Sequence, residues 1–161
     1  MEILHTEDPN FLFRNWLSAA AKAEPNDPEA MALATVGTDG RPAVRMVLLK
    51  GLDQDGFRFY TNEESKKGQD IAAHPYAALC FHWKSLDRQV RVEGAVRMLD
   101  DADADAYFKM RHPLSRLGAW ASQQSRPLAS RAELEGRVAE FKKEFEGRDI
   151  PRPPYWKGYI V

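Results

Sequence analysis

The sequence is poor in the residues that hold small or metal-dependent proteins together. It contains one cysteine, Cys80, which excludes an internal disulfide and is typical of a protein from a reducing compartment. Cys80 lies in an apolar run, so we expect it to fill space in the core. The four histidines are scattered without the spacing of metal ligands, and no metal site is predicted.

Charge and hydropathy argue against several classes of partner. The 23 basic and 24 acidic residues almost cancel, which argues against nucleic acid or an anionic membrane as the main partner. No stretch is long and apolar enough to cross a bilayer, and the N-terminus has no signal-peptide pattern, so we expect a cytoplasmic protein. The glycine-rich nucleotide motifs G-x-G-x-x-G and G-x-x-x-x-G-K are absent.

The pattern of apolar residues predicts a single domain, residues 1–161, that is mainly β with packed helices. Helices are expected over about residues 9–24 and within about residues 101–146. Strands are expected at about residues 31–36, 43–50, 57–61, 76–83, 88–99 and 155–161, the last of them truncated by the end of the chain. The short, hairpin-like connections favour an antiparallel barrel with helices outside over a parallel doubly wound sheet.

The segment Arg45-Met46-Val47-Leu48-Leu49-Lys50 is predicted to be a buried strand with a cation at each end. The two cations could reach water or pair with carboxylates, or they could hold an anion against the sheet. Alternation along a strand sends Arg45 and Lys50 to opposite faces. One ligand would therefore meet both only at a strand end, a bulge or a sheet edge.

Two lysines, Lys66 and Lys67, stand near the start of a short predicted helix, where the helix dipole disfavours cations. An anion bound at the helix start would explain them. Alternatively, Glu63 and Glu64 neutralise them, or Asn62 caps the helix and the lysines lie a turn inside it.

Two further polar side chains have both a structural and a functional interpretation. Gln89 lies on the polar face of the strand at about residues 88–99, whose apolar face includes Val96 and Met98. Its amide could face solvent, or it could donate to and accept from a planar heterocycle. Arg111 closes a predicted helix that opens with acidic residues, so it could be only a partner of the helix dipole.

Several short motifs follow one another in a specific order along the chain. They are Arg45 to Lys50, Phe59-Tyr60-Thr61-Asn62 with Ser65-Lys66-Lys67, Arg88-Gln89-Val90, Tyr107-Phe108 with Arg111, Gly118-Ala119-Trp120 with Ser122, Gln124-Ser125, and Pro154-Tyr155-Trp156. From about Phe11 onward, this ordered set resembles the pyridoxamine 5′-phosphate oxidase (pyridoxine 5′-phosphate oxidase) family. The resemblance implies a split β-barrel that binds FMN and works as a homodimer, with flavin sites at the subunit interface.

The resemblance also implies roles for individual residues. For FMN it implies contacts from Arg45, Met46, Val47, Leu48, Leu49, Lys50, Tyr60, Thr61, Lys66, Lys67, Gln89, Gln124 and Ser125. Gln124 and Ser125 would reach FMN across the dimer. For the phosphate of a pyridoxal-type substrate it implies Lys50, Tyr107, Arg111 and Ser115. Cations and hydroxyls suit both phosphates, which strengthens the anion interpretation of Arg45 and the two lysines.

The implied reaction oxidises pyridoxamine 5′-phosphate or pyridoxine 5′-phosphate to pyridoxal 5′-phosphate, with O2 as acceptor and H2O2 as product. The cofactor carries the hydride transfer, so no pair of nucleophile and base is expected. The alternatives are a related split-barrel flavoenzyme with another small substrate and a non-catalytic protein that binds FMN or pyridoxal phosphate.

The chain departs from the family pattern in four places. It ends at Val161, before the Arg-Leu-His segment that contacts substrate in the family, and the basic N-terminal segment that covers the substrate is missing. Lys157 and Ile160 stand where the family usually has Gly and Arg. We therefore expect either a trimmed chain or a reduced relative, in which FMN binding is better supported than full turnover.

Overall fold

The structure, a computed structural model, describes residues 8–161. His5 and the other positions of the predicted domain before residue 8 lie outside this range. The elements are α1 (Pro9–Ala23), β1 (Ala30–Val36), β2 (Pro42–Leu48), β3 (Gly51–Asp53), β4 (Gly56–Asn62), α2 (Lys66–Ala73), β5 (Tyr76–Trp83), β6 (Arg88–Ala95), β7 (Arg97–Met98), α3 (Asp101–Met110), α4 (Pro113–Ala121), α5 (Arg131–Glu144) and β8 (Trp156–Ile160). A single 3-10 turn, Lys84–Leu86, connects β5 to β6.

The strands form two four-stranded sheets, with the orders β2-β1-β5-β6 and β3-β4-β8-β7. Every pair of neighbouring strands is antiparallel. Hairpins connect β1 to β2 and β3 to β4, and the turn of the first contains a glycine with φ of +75° that a residue with a side chain would adopt only with strain. The predicted antiparallel β architecture with helices is confirmed.

Helix α1 closes the core. Asp8 caps its start by accepting a hydrogen bond from the backbone N–H two residues on (2.9 Å). One turn inside, Phe13 is 3% exposed, and its ring centroid lies 5.0 Å from Phe57 of β4, 4.9 Å from Phe81 and 5.7 Å from Trp83 of β5. Because these partners belong to both sheets, one helix face joins the two sheets in a single aromatic core.

The strand predicted to be buried is an edge strand, so that prediction is wrong. Within residues 8–161, β2 pairs only with β1. Its outward side chains Val44, Met46 and Leu48 are 70%, 64% and 40% exposed. β2 therefore carries apolar side chains on both faces. One face packs inward, and the other is an exposed apolar surface.

The single strand predicted at about residues 88–99 is two strands. β6 belongs to the first sheet and β7 to the second, and the chain changes sheets at Val96, whose N–H donates to the carbonyl of Pro75 (2.8 Å). The break shifts the alternation, so Met98 is 48% exposed although the pattern placed it with Val96 on the apolar face. Cys80 is likewise half-buried on β5 and not in the core, because it lies on the outer face of the strand.

Among residues 8–161, no helix is both long and apolar enough to span a bilayer. The same part of the chain holds no group of three or more His, Cys, Asp or Glu side chains suited to a metal ion.

Candidate functional site

A cavity of about 290 Å³ lies between residues of both sheets and of α2 and α3. We call it the site cavity. Its lining residues are Arg45, Met46, Val47, Leu48, Lys50, Tyr60, Thr61, Lys67, Tyr107, Arg111, Gln124 and Trp156. All of these except Trp156 are residues that the sequence predicts for a cofactor or substrate. A larger hollow of about 500 Å³ between α4 and α5 is mainly apolar and holds none of them.

Arg45 and Lys50 both line the site cavity because β2 ends at Leu48. Alternation stops there, and the N–H of Lys50 already donates to the carbonyl of Arg58 in the second sheet (2.8 Å). The two cations thus meet at a strand end, the exception that alternation allows. Lys50 Nζ also lies 3.0 Å from Glu29 Oε2, so it has a carboxylate partner as well.

The guanidinium of Arg45 is held by the edge of the first sheet. Its Nη1 donates to the carbonyl oxygens of Leu33 and Ala43 at 3.1 Å each, and to Thr35 Oγ1 at 2.7 Å. Its Nη2 lies 3.6 Å from Asp70 Oδ2. Burial lowers the pKa of Arg45, and the charge of Asp70 opposes this change. The contacts with Leu33, Ala43, Thr35 and Asp70 hold the guanidinium in place at the cavity wall.

The start of α2 supplies two more cations. Ser65 caps the helix by accepting a hydrogen bond from the backbone N–H three residues on, which leaves Lys66 and Lys67 in the first turn. Lys67 Nζ donates to Gln124 Oε1 and Ser65 Oγ, at 3.0 Å each, and lines the site cavity. Burial, and to a smaller extent the charge of Arg45, lowers the pKa of Lys67 to about 8. Lys66 turns instead toward Asp70 (3.0 Å).

Neither structural alternative for these lysines holds. Asn62 is not the helix cap, since its Oδ1 accepts from the N–H of Glu64 (2.7 Å) before the helix begins. Glu64 pairs with Arg126 at 3.0 Å. Lys67, at the cavity, has an amide oxygen and a hydroxyl as hydrogen-bond partners, and no carboxylate within residues 8–161 forms an ion pair with it.

Asp70 is a buried acid that the sequence reasoning missed. Its side chain is 5% exposed, and it accepts from Thr35 Oγ1 at 2.7 Å as well as from Lys66. Burial acts to raise the pKa of Asp70, but the hydrogen bonds from Thr35 and Lys66 hold it below the usual range. The only local signal was the spacing of four residues between Lys66 and Asp70, which suits an ion pair on a helix.

Three parallel aromatic rings form one wall of the cavity. Tyr60 of β4 stacks on Tyr107 of α3 with 4.2 Å between centroids and 7° between planes. Trp156 of β8 is 5.0 Å from Tyr60 and 6.2 Å from Tyr107, with interplanar angles of 5° and 2°. Sequence reasoning noted Trp156 within a family motif but did not assign it to the site.

Arg111 has an unsatisfied donor at this wall. Its guanidinium carbon lies 5.0 Å from the centroid of Trp156 and 5.5 Å from that of Phe108. Its Nη1 is buried and has no hydrogen-bond partner within residues 8–161, and burial lowers the pKa of Arg111. As the C-cap of α3 it also suits the helix dipole, but that role does not satisfy Nη1. An anion in the cavity would do so.

Five predicted site residues do not line the cavity. Leu49 is 4% exposed in the core. Lys66 and Ser125 line a neighbouring hollow of about 380 Å³. Gln89 is exposed on β6, opposite His82 of β5, and Ser115 is exposed on α4.

The comparisons with known proteins identify the family. The model of the pyridoxamine 5′-phosphate oxidase family matches residues 17–144. A protein of Rhodospirillum rubrum named pyridoxine/pyridoxamine 5′-phosphate oxidase is 58% identical over 166 aligned positions, which cover 100% of this chain and 83% of that protein. A protein of Brucella canis with the same name is 60% identical over 99% of this chain and 79% of its own length.

Solved structures agree on the fold. PhzG from Burkholderia lata, crystallised with tetrahydrophenazine-1-carboxylic acid, superposes with a TM-score of 0.90 and 28% identity over 100% of this chain and 82% of that one. A pyridoxamine 5′-phosphate oxidase-related, FMN-binding protein from Nostoc punctiforme gives a TM-score of 0.73 at 19% identity, over 98% of this chain and 82% of its own. The predicted split-barrel fold is confirmed. The chain belongs to the pyridoxamine 5′-phosphate oxidase family.

Proposed function

We propose that this protein binds FMN and oxidises pyridoxamine 5′-phosphate or pyridoxine 5′-phosphate to pyridoxal 5′-phosphate, with O2 as acceptor and H2O2 as product. The observation that carries the proposal is that one cavity holds four cations, Arg45, Lys50, Lys67 and Arg111, beside an aromatic wall. We assign Arg45 and Lys67, whose charges interact, to the phosphate of the cofactor. We assign Lys50 and Arg111 to the phosphate of the substrate.

The residues present fit FMN. Lys67 is a half-buried cation that donates hydrogen bonds to the neutral side chains of Ser65 and Gln124, and a bound phosphate would compensate its desolvation. Thr61 and Gln124 add a hydroxyl and an amide, 3.3 Å apart, that can hydrogen-bond a polar ring edge. When bound, FMN supplies the hydride acceptor that O2 then reoxidises.

The protein's own residues would bind and orient the substrate. Arg111 Nη1, which lacks a partner, would donate to the substrate phosphate together with Lys50 and the hydroxyl of Tyr107. The aromatic wall would hold the pyridine ring in a plane. Pyridoxine 5′-phosphate loses two hydrogens to become the aldehyde, and pyridoxamine 5′-phosphate also exchanges its nitrogen for the oxygen of water and releases ammonia.

The remaining assignments are part of the same proposal. The FMN contacts comprise Arg45, Met46, Val47, Leu48, Leu49, Lys50, Tyr60, Thr61, Lys66, Lys67, Gln89, Gln124 and Ser125, and Ser115 joins the substrate phosphate site. Because the side chain of Leu49 is buried, only its backbone is available for a contact. Gln89 is on the outer face of the first sheet, so it would meet a flavin only in a dimer.

We propose that the active unit is a homodimer formed through that outer face. Val44, Met46 and Leu48 are exposed there beside the small side chains of Ala32 and Ala34 on β1. An apolar surface of this kind is typical of a subunit interface.

We also propose a cytoplasmic location, which the presence of a single cysteine supports.

The dimer is tested by light scattering after gel filtration. Val44→Glu should give monomers, because it would place a charge in the apolar interface. The matched control Leu128→Glu, at a side chain that is 43% exposed elsewhere, should leave the dimer intact. A wild-type monomer, or a dimer of the Val44 variant, would contradict the proposed interface.

The catalytic proposal is tested with the purified protein loaded with FMN. We expect a flavin spectrum shifted from that of free FMN, and H2O2 and an aldehyde after addition of pyridoxamine 5′-phosphate in air. Arg111→Met should lower kcat/KM for this substrate by at least about tenfold, because a buried charged hydrogen bond contributes about 1.5–3 kcal/mol. The control Arg131→Met, at a side chain that is 90% exposed on α5, should have no effect.

A second candidate is a split-barrel flavoenzyme with another substrate, which the close superposition on PhzG favours. Oxidation of a reduced phenazine carboxylate, with no oxidation of pyridoxamine 5′-phosphate, would establish it. Bound flavin without any turnover would indicate a non-catalytic FMN or pyridoxal phosphate binder.

A further inference from the structure

Arg152, in the connection between α5 and β8, makes three hydrogen bonds with one guanidinium. Its Nε donates to Asp105 Oδ1 at 2.6 Å, its Nη2 to Asp101 Oδ1 at 2.8 Å, and its Nη1 to the carbonyl oxygen of Trp156 at 2.7 Å. The Arg152 side chain is 8% exposed. Because all three nitrogens are used, the planar fork fixes the relative positions of its three partners.

These partners belong to two elements that form the site. Asp101 and Asp105 lie one turn apart on α3, whereas Trp156 begins β8. Lys157 of β8 adds a contact to Asp101 at 3.0 Å. The fork therefore joins the first half of α3 to the start of β8.

The second half of α3 carries Tyr107 and ends at Arg111. The Tyr107 ring is within 2° of parallel to Trp156, and the Arg111 guanidinium lies 5.0 Å over the same ring. These alignments depend on how α3 is rotated about its axis and shifted along it relative to β8. Successive residues of a helix are rotated by about 100°, so a small change in α3 would move both side chains away from Trp156. A contact that fixes α3 to β8 therefore also fixes the two groups proposed to hold the substrate phosphate.

We infer that Arg152 is a positioning residue of the substrate site: by clamping α3 to β8, it places Arg111 and Tyr107 for the substrate phosphate. The inference rests on the proposed function. An ion pair that served stability alone would have a different signature, because its loss would affect every activity of the folded protein in proportion. Loss of the clamp acts selectively on binding of the phosphorylated substrate.

The test compares Arg152→Met and the milder Arg152→Lys, which keeps the charge but cannot form the fork, at saturating FMN. We expect Arg152→Met to raise KM for pyridoxamine 5′-phosphate by about tenfold or more, with a smaller rise for Arg152→Lys. The affinity for FMN, measured by flavin fluorescence, should change less than about twofold, because Arg45 and Lys67 do not contact the clamp.

Arg116→Met is the matched control. Arg116 is also a nearly buried arginine, 13% exposed, that binds an aspartate (Asp149, 2.6 Å) and a backbone carbonyl (Ile150, 3.3 Å), but it does not join α3 to β8. Its loss should lower stability without a selective rise in KM. A double-mutant cycle of Arg152→Met with Arg111→Met should be strongly non-additive in KM, since one residue acts through the other.

The outcomes separate the inference from the proposed function. If wild-type protein oxidises the phosphorylated substrate and Arg152→Met leaves KM unchanged, or lowers FMN affinity equally, the inference is overturned and the function stands. If wild-type protein neither oxidises pyridoxamine 5′-phosphate nor binds pyridoxal 5′-phosphate in equilibrium dialysis, the proposed function fails, and the inference with it.

Discussion

The pH dependence of FMN binding should be set by Lys67. In the unliganded protein its pKa is lowered from 10.5 to about 8, first by burial and then by the charge of Arg45. A bound phosphate favours the charged ammonium and restores the pKa toward its ordinary value. Above pH 8, binding must therefore take up a proton, and the affinity falls as the pH rises.

The magnitude follows from the two pKa values. At pH 7 nearly all of the free protein carries the proton on Lys67, whereas at pH 9 only about one molecule in ten does. With the lysine charged in the complex, the Kd for FMN should rise about tenfold from pH 7 to pH 9, which corresponds to about 1.4 kcal/mol.

The assay is quenching of flavin fluorescence at pH 7, 8 and 9 with wild-type protein and Lys67→Arg. Arginine stays charged throughout this range, so the variant should have a nearly constant Kd. Riboflavin, which lacks the phosphate, should show no such slope with wild-type protein. Equal slopes for wild-type protein and Lys67→Arg would refute the reasoning, because the proton would then come from another group.

Two further predictions concern stability, measured by urea unfolding. Phe13→Ala should lower the free energy of unfolding by about 3–5 kcal/mol, because the ring packs on both sheets. The control Phe11→Ala, at a 57% exposed side chain, should lower it by at most about 0.5 kcal/mol. Similar values for the two variants would show that α1 does not close the core. Asp70→Asn should cost about 1.5–3 kcal/mol at pH 7, where the ionised acid accepts from Thr35 and Lys66. Because the folded-state pKa of Asp70 is lowered, this contribution to stability is present above about pH 4 and is lost as the pH falls through the folded pKa. If the difference in free energy of unfolding between wild type and variant stays constant down to about pH 2, the proposed pairing is contradicted.

Local features of the fold could be predicted from the sequence because they depend on neighbouring residues. Asp8 before a proline starts α1, and Ser130 caps the start of α5, with its Oγ accepting from the N–H of Glu133 (3.2 Å). The family motifs were recognised for the same reason, since each is a short run in a fixed order. All of the residues that line the site cavity lie in those motifs, and all but Trp156 were assigned to a cofactor or substrate from them.

Tertiary structure alone decided which of these runs meet. Thr35 and Asp70 are 35 positions apart, and Lys67 and Gln124 are 57 apart, so no local pattern predicts their hydrogen bonds. The apolar run of β2 could not distinguish a central strand from an edge strand, because the two differ only in what covers the outer face. Arg152 is the clearest case, since its role depends on joining α3 to β8 across the fold. The sequence by itself determined most of the helices and strands, the family and most of the groups that carry charge in the site. Folding determined which of those cations have carboxylate partners, which donors are left without a partner, and which strand face is exposed, because these depend on contacts between segments that are distant along the chain.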